Sequence, residues 1–448
     1  MPLILKIAGE QETEKDSFYR LSNHCIKIQR PEGLLLYHVM TKELLLLSPQ
    51  EAEKLKTLPC KFTPQMTELV TRWFLRPLQD NDCDLVDQIK EVASCIKPKA
   101  TNLSSYTIFT TTDCNARCFY CFERGSKKIS MTPEIAYDVA GYIIKQYSGK
   151  TIQLRWFGGE PLLNSTAIDI ITSTLQHNDI DYRSSMISNG YLFDSDIIKR
   201  AKEKWKLQQV QITLDGTEDV YNYRKAYWQI QGSAYRKVIN NIHKLLEAQI
   251  KVIVRLNMDD KNEENLYSLC DELADQFSSI DDFYVYLAIL LEDVGYHQIQ
   301  RTEAERDNLC RKSVLLRKYL RKKKLASEPA LNRKLILNRC MADNDAATTI
   351  TPEGFLGCCE HYCDKGIWGS IYSETVDWNI IQQWKVKMPI ESTCYTCPIY
   401  PVCVRLKQCP GLLDHCTKND RALRKEKLFR SIIHAFELWK EECIGPPG

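Results

Sequence analysis

Three cysteines, Cys114, Cys118 and Cys121, stand at CxxxCxxC spacing in the stretch DCNARCFYC, residues 113–121. A loop this tight can converge three thiolates on one inorganic centre, and cysteine sulfur is what holds iron–sulfur clusters. Three ligands on a four-iron cube leave one iron open, and an open iron can bind a substrate or cofactor. The competing readings are buried apolar thiols or half of a zinc site, although zinc usually takes CxxC pairs. A second constellation is WFGGEPLL, residues 156–163, where Gly158 and Gly159 let backbone approach a ligand without a side chain in the way and Glu160 adds a carboxylate. By itself a Gly-Gly turn is more often structural. A third lies far downstream, with Cys340 and Cys359 followed by Cys394, Cys397 and Cys403 as CxxC-x5-C and then by Cys409 and Cys416.

The elements that must position these groups read as an α/β chain of several domains. At 448 residues it exceeds what one core usually serves. A net charge of +2 gives no reason to expect a nucleic acid partner. No apolar run approaches the roughly 20 residues that span a bilayer, and the amino-terminal stretch lacks the form of a secretion signal, so a cytoplasmic location is expected. There, 19 cysteines are hard to explain as disulfides, and metal or cluster ligation is the economical alternative.

Between Ser105 and about Ala288 strands and helices alternate. The strands are expected at 106–110, 151–157, 184–187, 209–214, 251–257 and 283–287, with helical patterns such as 132–147, 233–247 and 263–277 between them. Six βα units imply a parallel sheet with helices outside, too few for a closed eight-fold barrel. In such barrels chemistry sits at the carboxyl ends of the strands. The cysteine loop, the GGE turn, Ser188-Asn189-Gly190 and Leu214-Asp215-Gly216 all fall there. Residues 1–100 form a separate α+β unit, with short strands at 25–29, 33–39 and 43–47, a Ser48/Glu51 helix cap, and amphipathic segments at 65–75 and 84–96. Residues 291–335 read as a helical linker with a basic face, and 336–448 as a cysteine-rich domain ending in a charged helix.

The cysteine loop, including Tyr120 before its third cysteine, and the GGE turn one βα unit later resemble the radical S-adenosylmethionine (SAM) superfamily. The resemblance implies a partial (βα)6 barrel of TIM type, and a [4Fe-4S] cluster on Cys114, Cys118 and Cys121 whose open iron chelates SAM. Gly158, Gly159 and Glu160 would then hold the SAM amino group, Ser188 would lie near the ribose, and Arg224 would pair with the SAM carboxylate. Asp215 is a more ambiguous contact, since an Asp-Gly pair commonly makes a turn. Arg255 and Asn257 are expected to face the barrel interior, where a charge needs partners, and a structural role is the alternative for both. The carboxyl-terminal cysteines resemble a SPASM domain with two auxiliary [4Fe-4S] clusters. Carried over, Cys340, Cys359 and Cys409 would serve the first and Cys394, Cys397, Cys403 and Cys416 the second. Cys403 to Cys409 is longer than the usual spacing, which leaves the partition open. Cys358, Cys363 or a substrate thiolate could complete the first cluster. In sulfatase-maturating relatives an acidic residue matching Glu360 serves as a base. The order of elements in residues 1–100 resembles a winged-helix domain that binds leader peptides.

Together these resemblances imply a radical SAM oxidoreductase that takes hydrogen from a ribosomally made peptide bearing a leader sequence. It would form a thioether or carbon–carbon crosslink and draw electrons from a flavodoxin- or ferredoxin-type donor. Formylglycine formation in a sulfatase is the alternative within the family. A non-catalytic zinc-binding interaction protein is the alternative outside it.

Overall fold

The computed structural model describes residues 16–96, 102–228, 230–290, 301–326, 331, 340–361, 365–404, 406–409 and 418–444. The amino-terminal unit begins with β1 (Phe18–Leu21), β2 (Cys25–Arg30), β3 (Gly33–His38) and β4 (Leu44–Leu47), followed by β5 (Cys60–Lys61) and β6 (Leu75–Pro77). These make two small antiparallel sheets, β5-β1-β6 and β2-β3-β4. Ser48 and Glu51 close the expected reciprocal cap on the helix Pro49–Lys54. The long helical pattern expected over 65–75 is instead a 3-10 turn, a five-residue helix Thr67–Thr71 and then β6. Trp73 takes a left-handed φ of 68°, which stops the helix and turns the chain into the strand.

The six expected strands are present as β7 (Ser105–Thr111), β8 (Ile152–Gly158), β9 (Tyr182–Ser188), β10 (Leu207–Leu214), β11 (Lys251–Met258) and β12 (Phe283–Ile289). They hydrogen-bond in chain order and in parallel. One face of each strand, for instance Leu154 and Trp156, Val210 and Ile212, or Val252 and Val254, packs into a single core against the flanking helices. Helix Glu303–Lys322, in the stretch read as a linker, also buries Leu309, Leu316 and Leu320 in that core.

After Cys340 the chain adds β13 (Ala347–Ile350), β14 (Phe355–Gly357) and β15 (Ile367–Ser370) to the same sheet. β13 pairs in parallel with β7, so the sheet runs without a break from the barrel into the cysteine-rich part. The amino-terminal unit docks on that part. Ile26, Ile28, Leu35 and Tyr37 pack on Ile432 and Phe436 of the last helix, Lys418–Ile444. Cys83 and Asp87 reach the Cys394–Tyr400 segment, through Cys83 Sγ to the Cys394 carbonyl at 3.4 Å and the Tyr400 hydroxyl to Asp87 at 2.6 Å. Among the described residues no helix is long and apolar enough to cross a membrane.

Candidate functional site

The carboxyl ends of β7 to β11 meet at the cysteine loop. Gly158 and Gly159 bring the end of β8 against the backbone that leads into it. A Cβ on Gly158 would stand 2.1 Å from the Thr111 carbonyl oxygen, and one on Gly159 would stand 2.3 Å from that of Asp113. The Gly159 and Glu160 amides donate to these same carbonyls at 3.0 and 2.9 Å. The Gly-Gly turn thus seats one strand end on the next.

Glu160 is fully buried and binds the end of β9. It accepts from the Asn189 amide at 2.8 Å and from the Ser188 hydroxyl at 3.0 and 3.1 Å, while the Leu162 amide donates to it at 3.2 Å. Burial pushes its carboxyl up to about 7 against these hydrogen bonds. Asn189 also ties β9 to the cysteine loop, donating to Asn115 Oδ1 at 2.6 Å beside Cys114 Sγ at 3.8 Å.

The helix Glu218–Lys225 presents two cations to the loop. Arg224 forms a buried pair with Asp259, Nη2 to Oδ2 at 2.8 Å, and lies over the Phe119 ring at 4.9 Å. In this arrangement its charge is already matched within the protein. Lys225 is the group that sequence reasoning missed. It donates to the Tyr120 hydroxyl at 2.8 Å and pairs with Asp215 at 3.3 Å, and Tyr120 also donates to Asp215. Burial alone would lower the Lys225 ammonium, but Asp215 and Tyr120 hold it well above the usual lysine range. The only sequence signal for Lys225 was its place beside Arg224. Asp259 gave one as an acid two residues beyond Asn257.

Cys114, Cys118 and Cys121 are free thiols within one electrostatic neighbourhood. Burial pushes Cys114 up to about 12 and Cys121 to about 11 and raises Cys118, so each sheds its proton on ligating a metal. Among the described residues no three His, Cys, Asp or Glu side chains converge on a point suited to one ion. Asp215 Oδ1 is buried with no partner among the described residues, a polar atom open to a ligand's donor. This donor set fits a cluster and a polar small molecule beside it.

Downstream, Cys340, Cys359 and Cys409 share one small cluster with Cys358, Trp384 and Leu406. Cys394 and Cys397 pack in another, with Tyr400 and Cys83. Cys403 accepts from Arg424 at 3.5 Å. Cys416 and Cys363 lie outside the described residues. Glu360 accepts from Arg155 at 2.9 Å, and Arg255 donates through Nε to Asn257 at 2.9 Å.

Six parallel strands with three free thiols after the first and a Gly-Gly-Glu turn after the second make up the radical SAM fold. Residues 108–273 match the Radical SAM superfamily. A probable GTP 3',8-cyclase of Archaeoglobus fulgidus is 32% identical over 159 residues, 35% of this chain and about half (49%) of that protein. The GTP 3',8-cyclase of Clostridium perfringens strain 13 is 25% identical over 266 residues, 57% of this chain and 80% of that one. In fold the chain is similar to anSMEcpe with bound AdoMet and Cp18Cys peptide, with a TM-score of 0.56 and 13% identity over 75% of this chain and 98% of that one. It is also similar to Streptococcus suis SuiB bound to precursor peptide SuiA, with a TM-score of 0.52 and 14% identity over 86% and 94%. Residues after the amino-terminal unit could not by themselves supply 86% coverage, so the likeness to SuiB reaches into that unit.

Proposed function

We propose that the protein is a radical SAM enzyme that modifies a ribosomally made peptide, joining two of its residues by a thioether or carbon–carbon bond. The observation that carries this reading is the amino-terminal unit. Its sheet β2-β3-β4 ends in the strand Leu44–Leu47, four leucines in a row with Leu46 39% exposed. An apolar edge strand is a template for an added strand, and a leader peptide is the occupant that the SuiB likeness favours. The domain division at residues 100, 290 and 335 serves this reading, with recognition in the first unit and chemistry in the second.

With SAM and a [4Fe-4S] cluster bound, the group supplies a 5'-deoxyadenosyl radical that takes hydrogen from the substrate. Cys114, Cys118 and Cys121 would hold that cluster. Gly158, Gly159 and Glu160 shape the neighbouring wall, and Ser188, Asp215 and Tyr120 offer polar contacts to SAM. Arg224 would reach the SAM carboxylate by sharing its charge with Asp259. Cys340, Cys359 and Cys409, and separately Cys394, Cys397, Cys403 and Cys416, would hold two auxiliary clusters. Glu360 would take the substrate proton, and a flavodoxin- or ferredoxin-type protein would supply electrons.

The test incubates reconstituted protein with SAM, dithionite and a short peptide encoded beside its gene. Formation of 5'-deoxyadenosine together with a peptide lighter by two hydrogens is the expected result. Peptide left unchanged while GTP is converted would overturn the reading. A sulfatase fragment gaining formylglycine would move it to the alternative within the family.

A further inference from the structure

The face of the parallel sheet turned away from the helices carries a charge imbalance that the reading above does not use. Leu154, Trp156, Val210, Ile212, Val254, Leu256, Val285 and Leu287 all point into the helix-packed core. The residues that alternate with them, Arg155 on β8, Gln211 on β10, Arg255 on β11 and Tyr286 on β12, therefore share the opposite face. Arg255 and Tyr286 are directly paired across β11 and β12, and Tyr286 donates to Gln211 at 2.8 Å.

Glu360 and His361, immediately after Cys359, reach over this face. Glu360 is engaged by Arg155 at 2.9 Å. The His361 ring stands edge-on to Phe122 at 5.1 Å, and Phe122 in turn stacks on Phe157 at 6.2 Å. Phe122 follows Cys121, so the group sits beside the cysteine loop. His361 Nδ1 is buried and has no partner among the described residues.

Arg255 is near enough to exert its charge on both His361 and Tyr286. Its Nε is fixed by Asn257 at 2.9 Å, and the guanidinium also bonds the Tyr286 hydroxyl, so both neighbours that hold it are neutral. Among the described residues it has no carboxylate partner within ion-pair distance. Two guanidinium groups thus face one carboxylate, and that carboxylate is taken by Arg155. A half-buried guanidinium held only by neutral neighbours binds a planar two-oxygen anion.

We propose that Arg255 binds a carboxylate of the peptide substrate next to the residue that is modified, an inference that rests on the peptide reading above. Arg155 keeps Glu360 from filling the position, and the Tyr286 hydroxyl and His361 border it. The carboxylate comes either from an Asp or Glu side chain or from a peptide's carboxyl terminus. The enzyme is specific for a carboxylate at that point.

The test measures binding of three probes to the reconstituted full chain with SAM by saturation-transfer NMR. They are acetyl-Gly-Asp-Gly-amide, acetyl-Gly-Asn-Gly-amide and acetyl-Gly-Asn-Gly with a free carboxyl terminus, with GTP as a fourth ligand. The expected result is a preference of roughly ten-fold for a carboxylate probe over the neutral amide, the size of one charge-assisted pair. Preference for the first probe assigns a side-chain carboxylate, and preference for the third assigns a terminal one. Arg255→Gln should abolish the preference and Arg255→Lys should keep part of it, with thermal unfolding confirming that both fold. Equal binding of all three peptides overturns the carboxylate site and leaves the peptide reading standing. Binding of GTP with no binding of any peptide overturns both.

Discussion

Arg224 and Asp259 form an ion pair at 2.8 Å with side chains only 5% and 3% exposed. Removing one partner of such a pair strands the other charge in a dry site, which typically costs about 3–5 kcal/mol. Asp259→Ala should therefore lower the unfolding free energy by about that much. The double change Arg224→Met with Asp259→Leu should recover most of it. Urea unfolding of the full chain checks both. If the double variant is no more stable than Asp259→Ala, the pair is not the source of the loss.

Lys225 is the sole cation hydrogen-bonded to the Tyr120–Asp215 pair among the described residues. Lys225→Met should leave Asp215 buried without its counter-charge and depress reductive SAM cleavage by at least roughly ten-fold, as loss of a preorganised charge does elsewhere. Tyr120→Phe keeps the Lys225–Asp215 contact and should cost less. The measurement is 5'-deoxyadenosine formed with dithionite. A smaller effect for Lys225→Met than for Tyr120→Phe would reverse this assignment.

Gly159→Ala places a Cβ 2.3 Å from the Asp113 carbonyl oxygen, so the backbone entering the cysteine loop has to move. An overpacked site of this kind costs about 1–3 kcal/mol. The expected outcome is a protein that folds but retains less iron after reconstitution. Gly141→Ala, in the helix Pro133–Gln146 with nothing within 4 Å of its Cβ, is the control and should retain full iron.

His38 is buried in the amino-terminal unit beside the Ser22 hydroxyl, and burial lowers its imidazole to about 3. Below the ordinary histidine value of about 6.5 the unfolded chain takes up a proton that the folded unit refuses. Stability is fully present above that pH and falls as pH drops toward 3, by up to about 1.4 kcal/mol per pH unit. Hydrogen-exchange protection of β2 and β3 should decline between pH 7 and pH 5. His38→Gln should lessen the decline, with the remainder coming from His24, whose imidazole burial also lowers.

Iron content tests the cluster assignment. Native protein reconstituted without oxygen should bind about twelve irons, and the Cys114→Ala/Cys118→Ala/Cys121→Ala variant about eight. Zinc in place of iron would support a structural metal protein.

Much of this was legible from sequence because each barrel strand carries apolar residues on the face it buries against a helix, and because the chemistry stands at strand ends. Strand-to-helix alternation gave all six parallel strands. What escaped was set by contacts between residues far apart in the chain. Lys225 is unremarkable until the fold sets it against Asp215 and Tyr120. Arg224 invites a ligand carboxylate until β11 delivers Asp259. β13 is four residues long, and nothing in Ala347–Ile350 announces that it will extend the barrel sheet. The short strands β5 and β6 depend on tertiary pairing with β1 in the same way.

The parallel ladder from Ala347–Ile350 to Ser105–Ile108 joins the strand that enters the first cysteine loop to the strand that follows Cys340. A sheet yields little along its hydrogen-bonded rungs. The stretch that leads into Cys114 and the stretch that follows Cys340 are thereby held in one register. Strain put on either strand would pass directly to the other through that ladder, so the two loops would answer a shared disturbance together.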